Sequence, residues 1–125
     1  MYSFSALNPI GMEARDIANS QLSASSFQNT AGSRAPPWSA RANYEGSAEF
    51  VASWIPSPNN AADQWLQIDL PTVYIINALF IEGLPDKSAF VKTISIASSN
   101  DRSNWTNVLT DSGTTKVNRY HTLHT

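Results

Sequence analysis

The sequence predicts an all-β fold, an antiparallel β-sandwich or jelly roll with long loops at one end. Three observations carry this. Apolar and polar residues alternate over short runs, the period of a half-buried strand. Turn-forming Asn, Asp, Ser, Gly and Pro separate the runs. Helix signals are weak: only "MEARDIANSQL" has room for a turn or two, and Asn19 and Ser20 interrupt its apolar spacing. Short strands joined by elaborate loops fit a sandwich better than any layered α/β arrangement.

The elements follow in order. "QLSAS" is a short alternating strand. "DQWLQIDL" places Leu66, Ile68 and Leu70 on one face and Gln67 and Asp69 on the other, with Trp65 topping the outer face. "PT" breaks that run, and "VYIINALFIEG" reads as the next strand, ending at Gly83. "FVKTISIAS" follows, with Ile94 and Ile96 facing inward. "SNDRSN" has the composition of a turn, and "WTNVL" returns as its hairpin partner. Two long connections, "SSFQNTAGSRAPPWSARANYEG" and "SAEFVASWIPSPNNAAD", hold little regular structure by these criteria. Connections of this length are functional or disordered, and their aromatics argue for order.

Bulk composition narrows the function classes. The 125 residues suffice for one domain and show no internal repeat. Hydrophobic residues make up 42% and charged residues 14%, a balance that favours a packed module over a disordered chain. A net charge of −2 with no basic cluster excludes nucleic acid as a partner and gives no polybasic lipid anchor. There is no cysteine, hence no disulfide framework and no thiol chemistry. "MYSFSALNPIG" lacks the charged and apolar regions of a signal peptide. The run Val73–Ile81 is too short to span a bilayer.

No catalytic set emerges, so the chain reads as a non-enzyme. His121 and His124, spaced i, i+3, lack the further ligands that a metal site needs and read as a solvated tail. No G-x-S-x-G elbow is present. Glu45 and Glu49 share a loop, where solvation is the simpler reading than a general acid and base. Asp69, on a strand, reads as a partner for loop N–H groups.

Several of these blocks, in this order, resemble the discoidin domain family, also called coagulation factor V/VIII type C domains. They are "NPIGMEARDIANSQLSASSF", "WSARANYEG", "WIPSPNNAADQWLQIDL", "INALFIEG" and "FVKTISIASSNDRSNWTNV". The resemblance spans about Pro9 to about Asn107. It implies a discoidin-like sandwich in which Trp38, Trp54, Trp65 and Trp105 pack and brace, and Arg41 is a buried or semi-buried strut and not a ligand contact. Phe90 falls on a family tyrosine that belongs to the core. The family usually ties its ends with a disulfide, whose first cysteine would fall near Ala6. It also continues with a C-terminal strand. We therefore expect one domain over residues 1–125, with the part after about residue 110 divergent or truncated. Open strand edges would then favour a homo-oligomer.

The resemblance also implies where ligands bind. Three loops project from one end: "FQNTAGSRAPP", "YEGSAEFV" and "LPDKSAF". The candidate ligand-binding residues are Asn29, Arg34, Tyr44, Glu49, Phe50, Leu84 and Lys87, with ordinary solvated loops as the bland alternative. Family members bind phospholipid, glycans, collagen or other cell-surface proteins through this end. For lipid, burying Leu84 and Phe50 yields at most about 1.5–3 kcal/mol each, and each cation adds about 1 kcal/mol. The lower end of the sum, about 4 kcal/mol, is that of a millimolar complex, and the cost of association is still to be met from it. Phospholipid binding would thus be weak. A glycan or a cell-surface or matrix protein suits the mix better, with Tyr44 or Phe50 stacking on a sugar while Arg34, Glu49 and Asn29 bond hydroxyls. The expected role is a non-catalytic adhesion or recognition module, extracellular or at the cell surface. The alternatives are a peripheral membrane module or a glycan-binding accessory module of a larger secreted enzyme. No cofactor is called for, although the resemblance allows calcium, which some glycan-binding relatives hold. The sequon Asn104-Trp105-Thr106 sits beside the hairpin turn.

Overall fold

The computed structural model describes residues 10–12, 15–58, 61, 63–76, 79, 81–84, 90–108 and 117–119. The chain divides into two compact units, Met1–Leu84 and Pro85–Thr125. Among the described residues every strand is short and pairs in a two-stranded antiparallel ladder, with single-residue bridges besides, and the only helical elements are two 3₁₀ turns. The fold is all-β, as the alternation predicts.

In the first unit, a 3₁₀ turn at Asn19–Gln21 leads into β1, Leu22–Ala24. A hairpin follows, β2 at Asn29–Thr30 and β3 at Ser33–Arg34. The second 3₁₀ turn, Pro37–Ala40, starts with Pro37, whose fixed φ suits a first helical position. The "QWLQIDL" block supplies β4, Leu66–Ile68, which pairs with β1 through Leu22↔Ile68, Ser23↔Gln67 and Ala24↔Leu66. Bonds outside the ladder extend this pairing at both ends: Ser25 N donates to Trp65 O (3.0 Å) and Asp69 N to Gln21 O (2.8 Å). Gln21 Nε2 also donates to Asp69 O at 2.7 Å.

The core of this unit is small. Ile17, Leu22 and Ala35 are buried, together with Ser39 and Arg41. Arg41 is the strut that the resemblance implies. Its guanidinium donates to Met12 O (2.8 Å), Ile17 O (2.6 Å) and Asn19 Oδ1 (2.8 Å), tying the segment before β1 to the second 3₁₀ turn. Loss of hydration, and then repulsion from Arg15, lower the Arg41 pKa from its ordinary value.

In the second unit, β5 (Thr93–Ser95) and β6 (Ala97–Ser98) occupy the predicted "FVKTISIAS" strand. The chain changes partner at Ile96: β6 pairs with β7 (Thr106–Asn107), closing the predicted hairpin, while β5 pairs with β8 (Val117–Arg119). Ile94 and Ile96 are half-buried and their neighbours exposed, as the alternation requires. The segment beyond residue 110, set apart in the sequence, thus contributes a paired strand to β5.

Four expectations need correction. Val73–Ile76 form no strand and are exposed: β-branched composition alone supplies no ladder partner. Burial does not alternate along residues 66–70, which are all half-buried, because Gln67 Nε2 donates to Asp69 Oδ1 (2.7 Å) and the polar side covers itself. The first long connection is not irregular, since Ala31 and Gly32 close the β2–β3 hairpin with Gly32 at φ +71°. Finally, Phe90, expected in the core, is close to half exposed; Trp105 is equally exposed, and Trp65 is too, as its place on the outer face requires. Trp54, in contrast, is half-buried and donates its indole N–H to Ser26 O at 2.9 Å, as a bracing residue does.

Candidate functional site

Two of the three predicted loops meet. The β2–β3 hairpin aligns Asn29 opposite Arg34. Its base is fixed by Gln28, whose Nε2 donates to both Ser33 O and Ser33 Oγ at 2.7 Å. Arg34 then pairs with the second loop through backbone and side chain. Its N–H donates to Glu49 O (3.0 Å), its carbonyl accepts from Val51 N (2.7 Å), and an isolated parallel bridge joins Arg34 to Phe50. The Arg34 guanidinium forms an ion pair with the Glu49 carboxylate on the surface. The loop tips also approach: a Cβ built on Gly32 would lie 3.9 Å from Ala48 O.

The second loop is held by its own turn chemistry. Asn43 and Gly46 take left-handed φ values of +54° and +75°, conformations that Asn and Gly adopt at low cost. Ser47 Oγ accepts from Glu49 N (3.3 Å) and Phe50 N (3.1 Å), while Ser47 N donates to Phe50 O (2.8 Å). This side-chain turn aims Phe50 back at the second 3₁₀ turn. There Trp38 packs on Phe50, with ring centroids 4.7 Å apart at 60°. It meets Tyr44 edge to face at 5.7 Å and 84°. Such pairs stabilise by about 0.5–1.5 kcal/mol beyond their buried area.

Asn29, Arg34, Tyr44, Glu49 and Phe50 therefore lie on one connected surface, with Trp38 as its pivot. Leu84 is half-buried in a single-residue bridge and makes none of these contacts. Lys87 lies outside the described residues. An open cleft of about 350 Å³ adjoins Tyr44, lined also by Arg15, Arg41, Asn43, Glu45 and Gly46. That is the lower end of small-molecule site volumes. Among the described residues no group of three or more His, Cys, Asp or Glu is arranged to hold a metal ion, and no helix is long and apolar enough to cross a membrane. The histidines at 121 and 124 lie outside the described residues.

The sequence marks Trp38 only as a bracing residue and does not show that it gathers Tyr44 and Phe50, the two ends of the second loop, onto one ring. Sequence reasoning also passed over Ser47 and Arg15. A signal for Ser47 exists in "NYEGS", where Asn and Gly at left-handed positions precede a Ser that can cap the returning N–H groups. Nothing local marks Arg15, which reaches the cleft only through the tertiary fold.

These features define a β-class module that displays a polar and aromatic loop surface beside an open cleft. The family model for the F5/8 type C domain matches residues 21–125. The non-catalytic subunit of the venom prothrombin activator omicarin-C from Oxyuranus microlepidotus is 40% identical over 99 residues, covering 78% of this chain and 6% of that protein. Coagulation factor VIII from Mus musculus is 33% identical over 103 residues, covering 81% of this chain and 4% of that protein. Lactadherin from Rattus norvegicus is 31% identical over 111 residues, covering 87% of this chain and 26% of that protein. The chain belongs to the F5/8 type C, or discoidin, domain family, whose fold is a β-sandwich. It spans only a small share of the length of these curated relatives.

Proposed function

We propose that this chain is a non-catalytic ligand-binding module of an extracellular or cell-surface protein, which takes a glycan or a cell-surface or matrix protein through the surface around Trp38. The observation that carries this reading is the joining of the two loops by Arg34 with Glu49 and Phe50, beside the ring cluster of Trp38, Tyr44 and Phe50. Tyr44 and Phe50 supply apolar ring surface for a sugar face or an apolar side chain. Arg15, Asn43 and Glu45 line the cleft beside Tyr44 and offer the few polar groups that fix orientation in such sites. The Arg34–Glu49 pair has a second duty. It is spent on locking the loops together, so its contribution to affinity is mainly preorganisation.

The relatives' names support the setting. One is called a non-catalytic subunit of a venom activator, and others are coagulation factor VIII and lactadherin. The test is a combined array of glycans and matrix proteins, probed with the full chain and with Tyr44→Ala and Arg34→Ala. Binding that weakens in both variants supports the site. Unchanged binding in both refutes the site, and binding confined to phosphatidylserine vesicles, lost as salt is raised, moves the ligand class to lipid.

A further inference from the structure

The chain has a single N-x-Thr sequon, Asn104-Trp105-Thr106, which the surface around Trp38 does not use. The structure places it on the β6–β7 hairpin, where residues 100–108 are all exposed. The turn is ordered by one carboxylate. Asp101 accepts from Ser99 Oγ (3.0 Å), Ser103 N (2.8 Å), Asn104 N (2.7 Å) and Asn104 Nδ2 (2.7 Å). The acceptor side chain is therefore held on an exposed, ordered turn. Thr106 opens β7 at an exposed position, so its hydroxyl is presented two residues on, as the sequon requires. Asn104 itself lines an open cleft of about 220 Å³ together with Ser98, Ser99, Asn100, Asp101 and Thr106, all polar residues. Such a lining offers hydrogen-bond partners to a sugar attached at Asn104.

We propose that Asn104 is an N-glycosylation site. The donor is a polyprenyl-diphosphate-linked oligosaccharide. The bond from C1 of its first N-acetylglucosamine to the diphosphate breaks, and a bond from that carbon to Asn104 Nδ2 forms. The amide nitrogen gives up one proton to a base of the transferring enzyme, and the electron pair of the broken bond leaves on the lipid-linked diphosphate. Nδ2 carries two hydrogens. Glycosylation replaces one and leaves one, and the bonds to Asp101 from Ser99 Oγ, Ser103 N and Asn104 N do not involve Nδ2, so they hold the turn through the modification. The proposal rests on the extracellular setting proposed above, not on the ligand surface.

The full chain is secreted from animal cells behind a leader peptide, and its microsomal and secreted pools are digested with peptide-N-glycosidase F. The digest is expected to lower the mass by one glycan and to convert Asn104 to Asp. Asn104→Gln and Thr106→Ala abolish the shift, while Thr106→Ser keeps it. Thr106→Ala leaves the Asn104–Asp101 bond in place, so it reports on glycosylation if Asn104→Gln folds poorly. A folded wild-type chain whose Asn104 is unmodified in both pools overturns the proposal. Because the leader imposes the compartment, that result condemns the site itself. Array binding by the unglycosylated Thr106→Ala chain separately tests the ligand surface.

Discussion

Replacing Arg41 with Met should destabilise the first unit more than any surface change. Arg41 is only 6% exposed, and its guanidinium bonds three acceptors on the segment before β1. A hydrogen bond to a charged group contributes about 1.5–3 kcal/mol, with the upper end for a fully buried one. Only the bond to Ile17 O is fully buried, and Ile17 itself is 1% exposed. The two part-buried bonds add about 1 kcal/mol each. Relief of Arg41 desolvation and of its repulsion with Arg15 offsets part of the loss. The net expectation is about 3–5 kcal/mol, a large fraction of a stability of about 5–15 kcal/mol. Arg41→Lys keeps the charge but one ammonium cannot fork to all three acceptors, so it should lose about half as much. Urea unfolding followed by tryptophan fluorescence measures both. If Arg41→Met unfolds within about 0.5 kcal/mol of the wild type, the scale of a typical surface change, the strut argument fails.

Four further outcomes follow from the same geometry. Gly46→Ala should cost at least about 1 kcal/mol, because residue 46 sits at φ +75° and the new Cβ would meet Phe50 O at 2.8 Å; it should also weaken binding by displacing Phe50. Glu49→Ala removes an exposed ion pair, so stability should change by less than about 1 kcal/mol in denaturant while array binding falls more clearly. Trp54→Phe leaves the carbonyl of Ser26 without its 2.9 Å indole donor and should cost about 1–2 kcal/mol by thermal unfolding. Hydrogen bonds from Asn104, Ser103 and Ser99 hold the Asp101 carboxyl below the ordinary carboxylate range. Its contribution to the turn is therefore full above the unfolded Asp value of about 3.9 and is lost as pH falls through the lower folded value. A carboxyl-carbon NMR titration should show Asp101 still ionised at a pH where exposed Asp residues are protonated.

The strands that carry period-two alternation were legible: "LSA", "LQI" and the "TIS"–"AS" pair all form ladders. The run at 73–76 has a similar β-rich composition yet no ladder, because pairing is a tertiary property and composition is local. The β2–β3 hairpin was missed because its two-residue strands are too short to show a period. Within the site, the sequence pointed to Arg34, Tyr44, Glu49 and Phe50 by loop position alone. What it did not carry was their linkage: Trp38 is six residues from Tyr44 and twelve from Phe50, and only the Ser47 turn brings the second ring back. Arg41 was legible as a strut through family resemblance, not through its own neighbours.

The most direct measurement is a titration of the strongest array ligand into isotope-labelled chain, read by amide and indole NMR shifts. The account predicts that the largest shifts fall on Arg34, Trp38, Tyr44 and Phe50, with the Trp38 indole among them. Shifts concentrated instead on the hairpin at residues 97–107, with the Trp38 indole unmoved, would contradict it.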